Sequence, residues 1–200
     1  MTRPTVELEP SGWHASAREF IPASHRHLRM LRVYLPFIDS DGNSVRWSRY
    51  VDVDEYPASV NWFEATHHLA ATEARVRELV SCMGVLDSST AEALRDAIGD
   101  MTLRCLRWVG YGVAPSASPV HVHGEDYHAA DLIPADVESG RRVPEFAWDS
   151  ETQLAWGGRP YPDSLIMAAE APIFEQLHKD PRLDVAPVRT EDILPESVGD

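Results

Sequence analysis

Alternating apolar and polar positions predict a β-hairpin in the first third of the chain. A period of two is typical of a half-buried strand, and it occurs in two runs: Leu31, Val33, Leu35 and Phe37, then Val45, Trp47, Val51 and Val53. The intervening segment 39–43 has turn residues, with Gly42 suited to a positive φ. Its oxygen atoms also suit calcium, but it lacks the length and terminal glutamate of an EF-hand, so a turn is favoured. Pro36 has no N–H to donate to a neighbouring strand, so the first strand is predicted to lie at a sheet edge or to carry a bulge there.

A period near 3.6 predicts two helices in the middle of the chain. Asn61 with Glu64 forms a capping-box pattern, so the first helix begins there and ends near Gly84. The second begins at Ser89 and ends around Gly110, with an apolar stripe at Leu94, Ile98, Met101, Cys105 and Trp108. Because the connection is short, the two helices should be antiparallel neighbours.

The two cysteines, Cys82 and Cys105, are too few for a disulfide framework and lack Cys-x-x-Cys spacing. On the predicted helices they lie far apart, so we expect two unbonded core residues in a reducing compartment.

The last ninety residues carry weaker signals. They predict a short strand over residues 120–123, a proline-dense region from Leu132 to Pro162, and a helix from Ser164 to about His178 that Pro172 bends. The sequence therefore predicts an α+β fold in which a β-hairpin or small sheet packs on an antiparallel helical hairpin. One domain covers residues 25–179, with extended arms over residues 1–24 and 180–200.

Charge and hydropathy narrow the function classes. The net charge is −14, which disfavours direct nucleic-acid binding because such binding depends on Lys and Arg. No apolar run is long enough to span a membrane, and residues 1–7 lack the apolar segment of a signal peptide. We expect a cytoplasmic protein with no membrane partner.

One histidine cluster could bind a metal. His121 and His123 fall on the same face of the predicted strand, and His128 or Asp126 follows within seven residues of His121. Imidazole and carboxylate are ligands for zinc or iron, and an open metal position activates water. The predicted ligands are His121, His123 and His128, with Glu125 as general base. The competing interpretation is that these histidines are ordinary surface groups, as are His25 and His27.

The sequence contains no phosphate loop and no nucleophile elbow, and a non-enzymatic role without a cofactor is favoured. Terminal segments rich in proline order only when something holds them, and a neighbouring subunit is the restraint we expect. The leading hypothesis is an assembly subunit of a homo- or hetero-oligomer, for example a bacteriophage head-tail connector or tail-ring protein within a virion. Trp13, Trp148 and Trp156 are candidate interface anchors. The alternatives are a metal-dependent enzyme and an acidic inhibitor that imitates nucleic acid.

Overall fold

The computed structural model describes residues 16–53, 60–70, 73–112, 119–122 and 124–192. Within these residues the fold is mixed α/β, with a large antiparallel sheet and three α-helices. The helices are α1 (Trp62–Leu69), α2 (Ser88–Ile98) and α3 (Ala171–Lys179). The mixed class agrees with the α+β prediction, but the sheet is much larger than the predicted small sheet.

Eleven strands are present in the described part of the chain. They are β1 (Arg29–Tyr34), β2 (Phe37–Ile38), β3 (Ser44–Val45), β4 (Val80–Ser81), β5 (Leu103–Trp108), β6 (Val120–Val122), β7 (Glu125–Leu132), β8 (Phe146–Trp148), β9 (Leu154–Gly157), β10 (Ser164–Ala169) and β11 (Asp184–Val188). Eight form one sheet in the order β11-β1-β10-β9-β8-β5-β7-β6, and three form a second sheet in the order β3-β2-β4. Every described pairing is antiparallel.

Helices α2 and α3 cover one face of the large sheet. The buried side of α2 includes Leu94 and Ile98, which join a core cluster with Leu31, Trp156 and Phe174. Asp87 caps α2, since its carboxylate accepts the Thr90 N–H at 3.0 Å. This cluster is the main core of the protein.

The segment before β1 covers the opposite face. Two short 3₁₀ helices, Ala17–Phe20 and Ala23–His25, bring Phe20 and Ile21 against Leu106 and Phe146 of the sheet. A third cluster fills the space between α1 and the small sheet, around the fully buried Trp47, whose indole N–H donates to the Leu35 carbonyl at 2.8 Å. The sheet is thus covered on both faces.

The prediction of a helical hairpin is wrong for the second half of each helix. The Asn61–Glu64 capping box is present, but α1 ends at Leu69, and β4 pairs with β2 where the helix was expected to continue. Helix α2 ends at Ile98 and is capped by Gly99, whose φ is +58°, and residues 103–108 form strand β5. Pairing of residues 103–108 with the neighbouring strands β7 and β8 outweighs their helical spacing.

The predicted helix over residues 164–178 is also two elements. Residues 164–169 form β10, which pairs with both β1 and β9. Helix α3 begins only at Ala171, with Pro172 in its first turn. Pro172 does not bend the helix, because a first-turn residue has no intrahelical N–H bond to lose.

The cysteines lie on different elements from those predicted. Cys82 follows β4 and Cys105 lies within β5, and the exposed fractions of the two residues are 5 % and 1 %. Both are free and belong to the helix-covered core, as expected from their residue type. Burial raises the pKa of the Cys82 thiol to about 12, so it stays protonated at neutral pH.

The hairpin turn over residues 39–43 is confirmed. Gly42 has a φ of +82°, and the Asp39 carboxylate accepts the N–H groups of Asp41 and Asn43 at 3.0 and 2.7 Å. Pro36 separates β1 from β2. The first strand is nevertheless not at an edge, because β1 lies between β11 and β10.

Parts of both predicted arms pack on the domain. Residues 16–25 lie against the sheet, and β11, within the predicted C-terminal arm, pairs with β1. Residues 1–15 and 193–200 lie outside the described residues. No helix in the described part of the chain has the length and apolar character needed to cross a membrane.

Candidate functional site

Four side chains form a surface that we call the aromatic patch: Trp108, Tyr111, Arg142 and Tyr161. Trp108 ends β5, and Tyr111 lies in the 3₁₀ helix Val109–Tyr111 that follows it. Arg142 forms an isolated bridge with Val85, and Tyr161 lies in the loop between β9 and β10. All four side chains are half-buried, so each presents part of its surface to solvent.

The three aromatic rings pack edge to face. Their centroids are 5.3 Å apart for Trp108–Tyr111, 5.4 Å for Trp108–Tyr161 and 5.3 Å for Tyr111–Tyr161. This distance and orientation suit the charge distribution of aromatic rings. Gly110 makes the arrangement possible, because a Cβ at that position would overlap the Trp108 indole.

Arg142 lies over two of these rings. Its guanidinium carbon is 4.5 Å from the Tyr111 centroid and 5.3 Å from the Tyr161 centroid, within the range of a cation–π contact. Its Nε–H donates to the Met83 carbonyl at 3.0 Å. The cation is therefore held in place from two sides.

A buried carboxylate organises the patch from below. Glu145 is fully buried, and its two oxygens accept the Tyr111 hydroxyl at 2.6 Å and the Trp108 N–H at 2.8 Å. The Tyr111 oxygen in turn accepts the Tyr161 N–H at 3.1 Å. Burial raises the pKa of Glu145, although the two hydrogen bonds act in the opposite direction. Burial together with Glu145 also raises the pKa of Tyr111.

Backbone strain is concentrated at the same place. Met83, Thr152 and Tyr161 are the non-glycine residues with a positive φ among those described, and two of them, at +51° and +55°, contact Arg142. A left-handed conformation costs a non-glycine residue on the order of 1 kcal/mol. Such strain persists only where surrounding contacts impose it, and it is common at functional sites.

The predicted metal ligands are only partly described. His121 lies on β6 opposite Asp126, and its Nδ1 is 3.0 Å from the Asp126 carboxylate. His128 lies on the same face of β7 as Asp126, two residues further along the strand. Its buried Nε2 has no hydrogen-bond partner within the described part of the chain. His123 lies outside the described residues. No group of three potential ligands occurs among the residues searched, and the zinc or iron site with Glu125 as base stays a prediction.

The predicted tryptophan anchors have different environments. Trp156 is fully buried and donates its indole N–H to the Pro144 carbonyl at 3.0 Å, so it is a core residue. Trp148 is partly buried against the second core cluster. Trp13 lies outside the described residues. Trp108, expected in a helix core, is instead at the end of β5, partly buried against the second core cluster, with its indole N–H donated to Glu125 at 2.8 Å.

A surface depression beside α1 serves as a comparison region, which we call the α1 groove. It has a volume of about 470 Å³ and is lined by Phe63, Thr66, His67, Ala70 and Arg77. Phe63 is 52 % exposed and stacks on His67 with centroids 6.5 Å apart. Unlike the aromatic patch, it has no buried carboxylate among its lining residues.

Sequence reasoning missed the aromatic patch. Two local signals were present: glycines on either side of Tyr111, and Tyr161 between two prolines. Both signals indicate segments that adopt irregular conformations rather than a helix.

Chemically, the aromatic patch offers aromatic faces, one fixed cation and side chains with few free rotamers. These properties suit binding more than bond-making chemistry.

Comparison of the chain with protein-family models, with curated proteins and with solved structures finds no match. The class of the protein therefore rests on the fold and the site described above.

Proposed function

We propose that the protein is an assembly subunit and that copies of the chain associate through the aromatic patch. Trp, Tyr and Arg dominate the binding energy of protein interfaces. The patch brings these three residue types into contact at one surface. The observation that carries the proposal is Arg142 stacked on the rings of Tyr111 and Tyr161, with the Tyr111 hydroxyl held by the fully buried Glu145.

The fixed geometry favours binding. Ordering a flexible side chain at an interface costs about 0.5–1.5 kcal/mol. Trp108 is already fixed by Glu125, Tyr111 by Glu145 and Arg142 by the Met83 carbonyl. Because these rotamers are set before association, little of that cost remains.

The net charge sets a condition on this association. Two chains of charge −14 repel each other, and salt screens such repulsion over about 8–10 Å at physiological ionic strength. We therefore expect self-association to strengthen as salt rises. A closed ring of copies, as in a head-tail connector or tail ring, is the more specific form of the proposal, and it requires that Arg142 and the rings contact a different surface of the neighbour.

Sedimentation velocity across a concentration series tests the proposal. Tyr161→Asn removes one ring, and asparagine tolerates the positive φ at this position. We expect the variant to weaken association by about 10- to 100-fold, equal to about 1.4–2.8 kcal/mol. The matched control is Phe63→Asn in the α1 groove, which should associate like the parent protein. A parent protein that stays monomeric at high concentration and high salt would contradict the proposal.

A metal-dependent enzyme is the second candidate, and one observation favours it. His121 and Asp126 lie 3.0 Å apart on the face of adjacent strands that also carries His128, and the buried Nε2 of His128 has no hydrogen-bond partner among the described residues. Elemental analysis of the purified protein tests this candidate. Stoichiometric zinc or iron that is lost on His121→Ala would support it, and a metal-free protein that does not take up added zinc would exclude it.

A further inference from the structure

A serine, a histidine and an aspartate form a hydrogen-bonded chain beside the loop that joins β8 to β9. Ser24 Oγ is 2.9 Å from His25 Nδ1, and His25 Nε2 is 3.1 Å from Asp149 Oδ1. His25 is 1 % exposed and Asp149 is 4 % exposed, whereas Ser24 is exposed. These hydrogen bonds connect the buried Asp149 carboxylate to Ser24, a residue exposed to solvent.

Several contacts hold the carboxylate in its ionised form. Asp149 accepts the N–H groups of Glu151, Gln153 and Leu154 at 2.7, 2.9 and 2.9 Å. Although burial alone raises the pKa of Asp149, these bonds and the one from His25 outweigh it, and the pKa is below its ordinary value. An ionised carboxylate has no proton to donate.

The ionised state of Asp149 determines which atom donates in each of these hydrogen bonds. Because Asp149 can only accept, His25 must donate to it from Nε2–H, which leaves Nδ1 without a proton in the neutral ring. Burial lowers the pKa of His25, an effect that Asp149 opposes and His27 reinforces. At pH 7 the neutral ring therefore accepts a hydrogen bond from the Ser24 hydroxyl at Nδ1.

We propose that Ser24 is a nucleophile for acyl transfer, with His25 as its general base and Asp149 as the group that orients His25. The arrangement has the nucleophile, base and orienting carboxylate that define a serine–histidine–aspartate unit. It differs in that Nδ1 faces the serine and Nε2 faces the aspartate. The substrate class is a carboxylic ester whose carbonyl reaches the protein surface at Ser24.

The chemistry balances without a cofactor. The Ser24 oxygen forms a bond to the ester carbonyl carbon, and its proton passes to His25 Nδ1. The carbon–oxygen bond to the alcohol then breaks, and the departing oxygen takes that proton. Water hydrolyses the acyl-serine by the same transfers and returns the proton to Ser24, so the products are one carboxylic acid and one alcohol.

An alkyl fluorophosphonate probe tests the proposal on the intact protein. The Ser24 oxygen would displace fluoride from phosphorus, and mass spectrometry would locate the adduct. Ser150 is a matched reference, since it is also exposed and belongs to the adjoining loop. We expect one adduct, on Ser24, absent in Ser24→Ala and formed about 100-fold more slowly in His25→Gln, at the lower end of general-base effects.

A pH series on the parent protein gives a second measurement that does not depend on a variant folding. Labelling of Ser24 should be constant between pH 7 and 9, because His25 is already neutral there. An unassisted serine would instead react about tenfold faster for each pH unit as its alkoxide population rises. Labelling of Ser24 no faster than Ser150, or a Ser24 rate that rises tenfold per pH unit, would overturn the proposal.

Discussion

Two buried carboxyl groups lie at the two ends of strand β8, and their pKa values are shifted in opposite directions. Glu145 precedes the strand and is fully buried, and Asp149 follows it and is 4 % exposed. The pKa of Glu145 is raised, whereas that of Asp149 is lowered. Glu145 accepts hydrogen bonds from one side-chain hydroxyl and one main-chain N–H. Asp149 accepts hydrogen bonds from three main-chain N–H groups and from the His25 ring.

The difference shows that the balance between burial and hydrogen-bond donors sets the direction of each pKa shift. Desolvation is the largest single effect at both carboxylates, and it raises the pKa of each. Four donors reverse it at Asp149, and two do not at Glu145. The Asp149 end therefore holds a stable anion that the His25 ring links to the exposed Ser24, and the Glu145 end supports the aromatic patch.

Removing the Asp149 carboxylate should have the largest effect. Asp149→Ala leaves three N–H groups and the buried His25 ring without an acceptor. We expect the free energy of unfolding to fall by about 3–5 kcal/mol, because several buried donors lose their acceptor and each unsatisfied donor costs about 1–3 kcal/mol. Urea denaturation followed by circular dichroism measures this. A loss below about 1 kcal/mol would show that the loop does not depend on the carboxylate.

Removing the Glu145 carboxylate should cost less. Glu145→Ala leaves the Tyr111 hydroxyl and the Trp108 N–H without their acceptor, and we expect a loss of about 2–3 kcal/mol. The same urea titration applies, with tyrosine and tryptophan fluorescence reporting the patch. If Glu145→Ala proved costlier than Asp149→Ala, the ranking of the two carboxylates would be wrong.

The two ends should respond to pH in opposite directions. The folded-state pKa values of His25 and Asp149 are both lowered. The stability that His25 contributes is therefore present above its ordinary pKa of 6.5 and is lost as pH falls below that value. For Asp149 the same holds with its ordinary pKa of 3.8. The raised pKa of Glu145 contributes stability below its ordinary 4.5 that is lost as pH rises through the folded value.

Unfolding free energies measured from pH 4 to 8 separate these contributions. Glu145→Gln should remove the loss of stability that accompanies rising pH above 4.5. His25→Gln should instead reduce the loss that accompanies falling pH below 6.5. Identical pH profiles in the two variants would contradict the assignment of opposite shifts.

Relieving backbone strain should give the smallest effect. Thr152 in the β8–β9 loop has a φ of +61°, which asparagine adopts more readily than a β-branched residue. Thr152→Asn should stabilise the protein by up to about 1 kcal/mol, seen as a higher urea midpoint at an unchanged slope. A lower midpoint would mean that the threonine side chain itself stabilises this loop.

Local signals predicted the elements that local chemistry determines. The Asn61–Glu64 capping box and the turn at Gly42 both form as predicted. The spacing of Cys105 and Trp108 suited a helix equally well, and only pairing of β5 with β7 and β8 makes that segment a strand. The partner strands are up to forty-odd residues away, so no local pattern could indicate them.

The candidate sites were harder to predict for the same reason. Glu145 lies 34 residues from Tyr111, and Asp149 lies 124 residues from His25. The histidines near position 121 were predicted as a site because they are close together in the sequence. The contacts that organise this molecule instead join residues that the sheet topology brings together.

Hydrogen–deuterium exchange at low and high protein concentration tests the assembly role of the aromatic patch most directly. The Tyr161 amide, bonded to the Tyr111 hydroxyl, and the Gly112 amide, bonded to the Val109 carbonyl, report on the patch. The Glu151 and Gln153 amides, bonded to Asp149, report on the other end of β8. We expect protection to rise with concentration at Tyr161 and Gly112 while Glu151 and Gln153 stay unchanged. Equal protection of Tyr161 and Gly112 at both concentrations would contradict association through this surface.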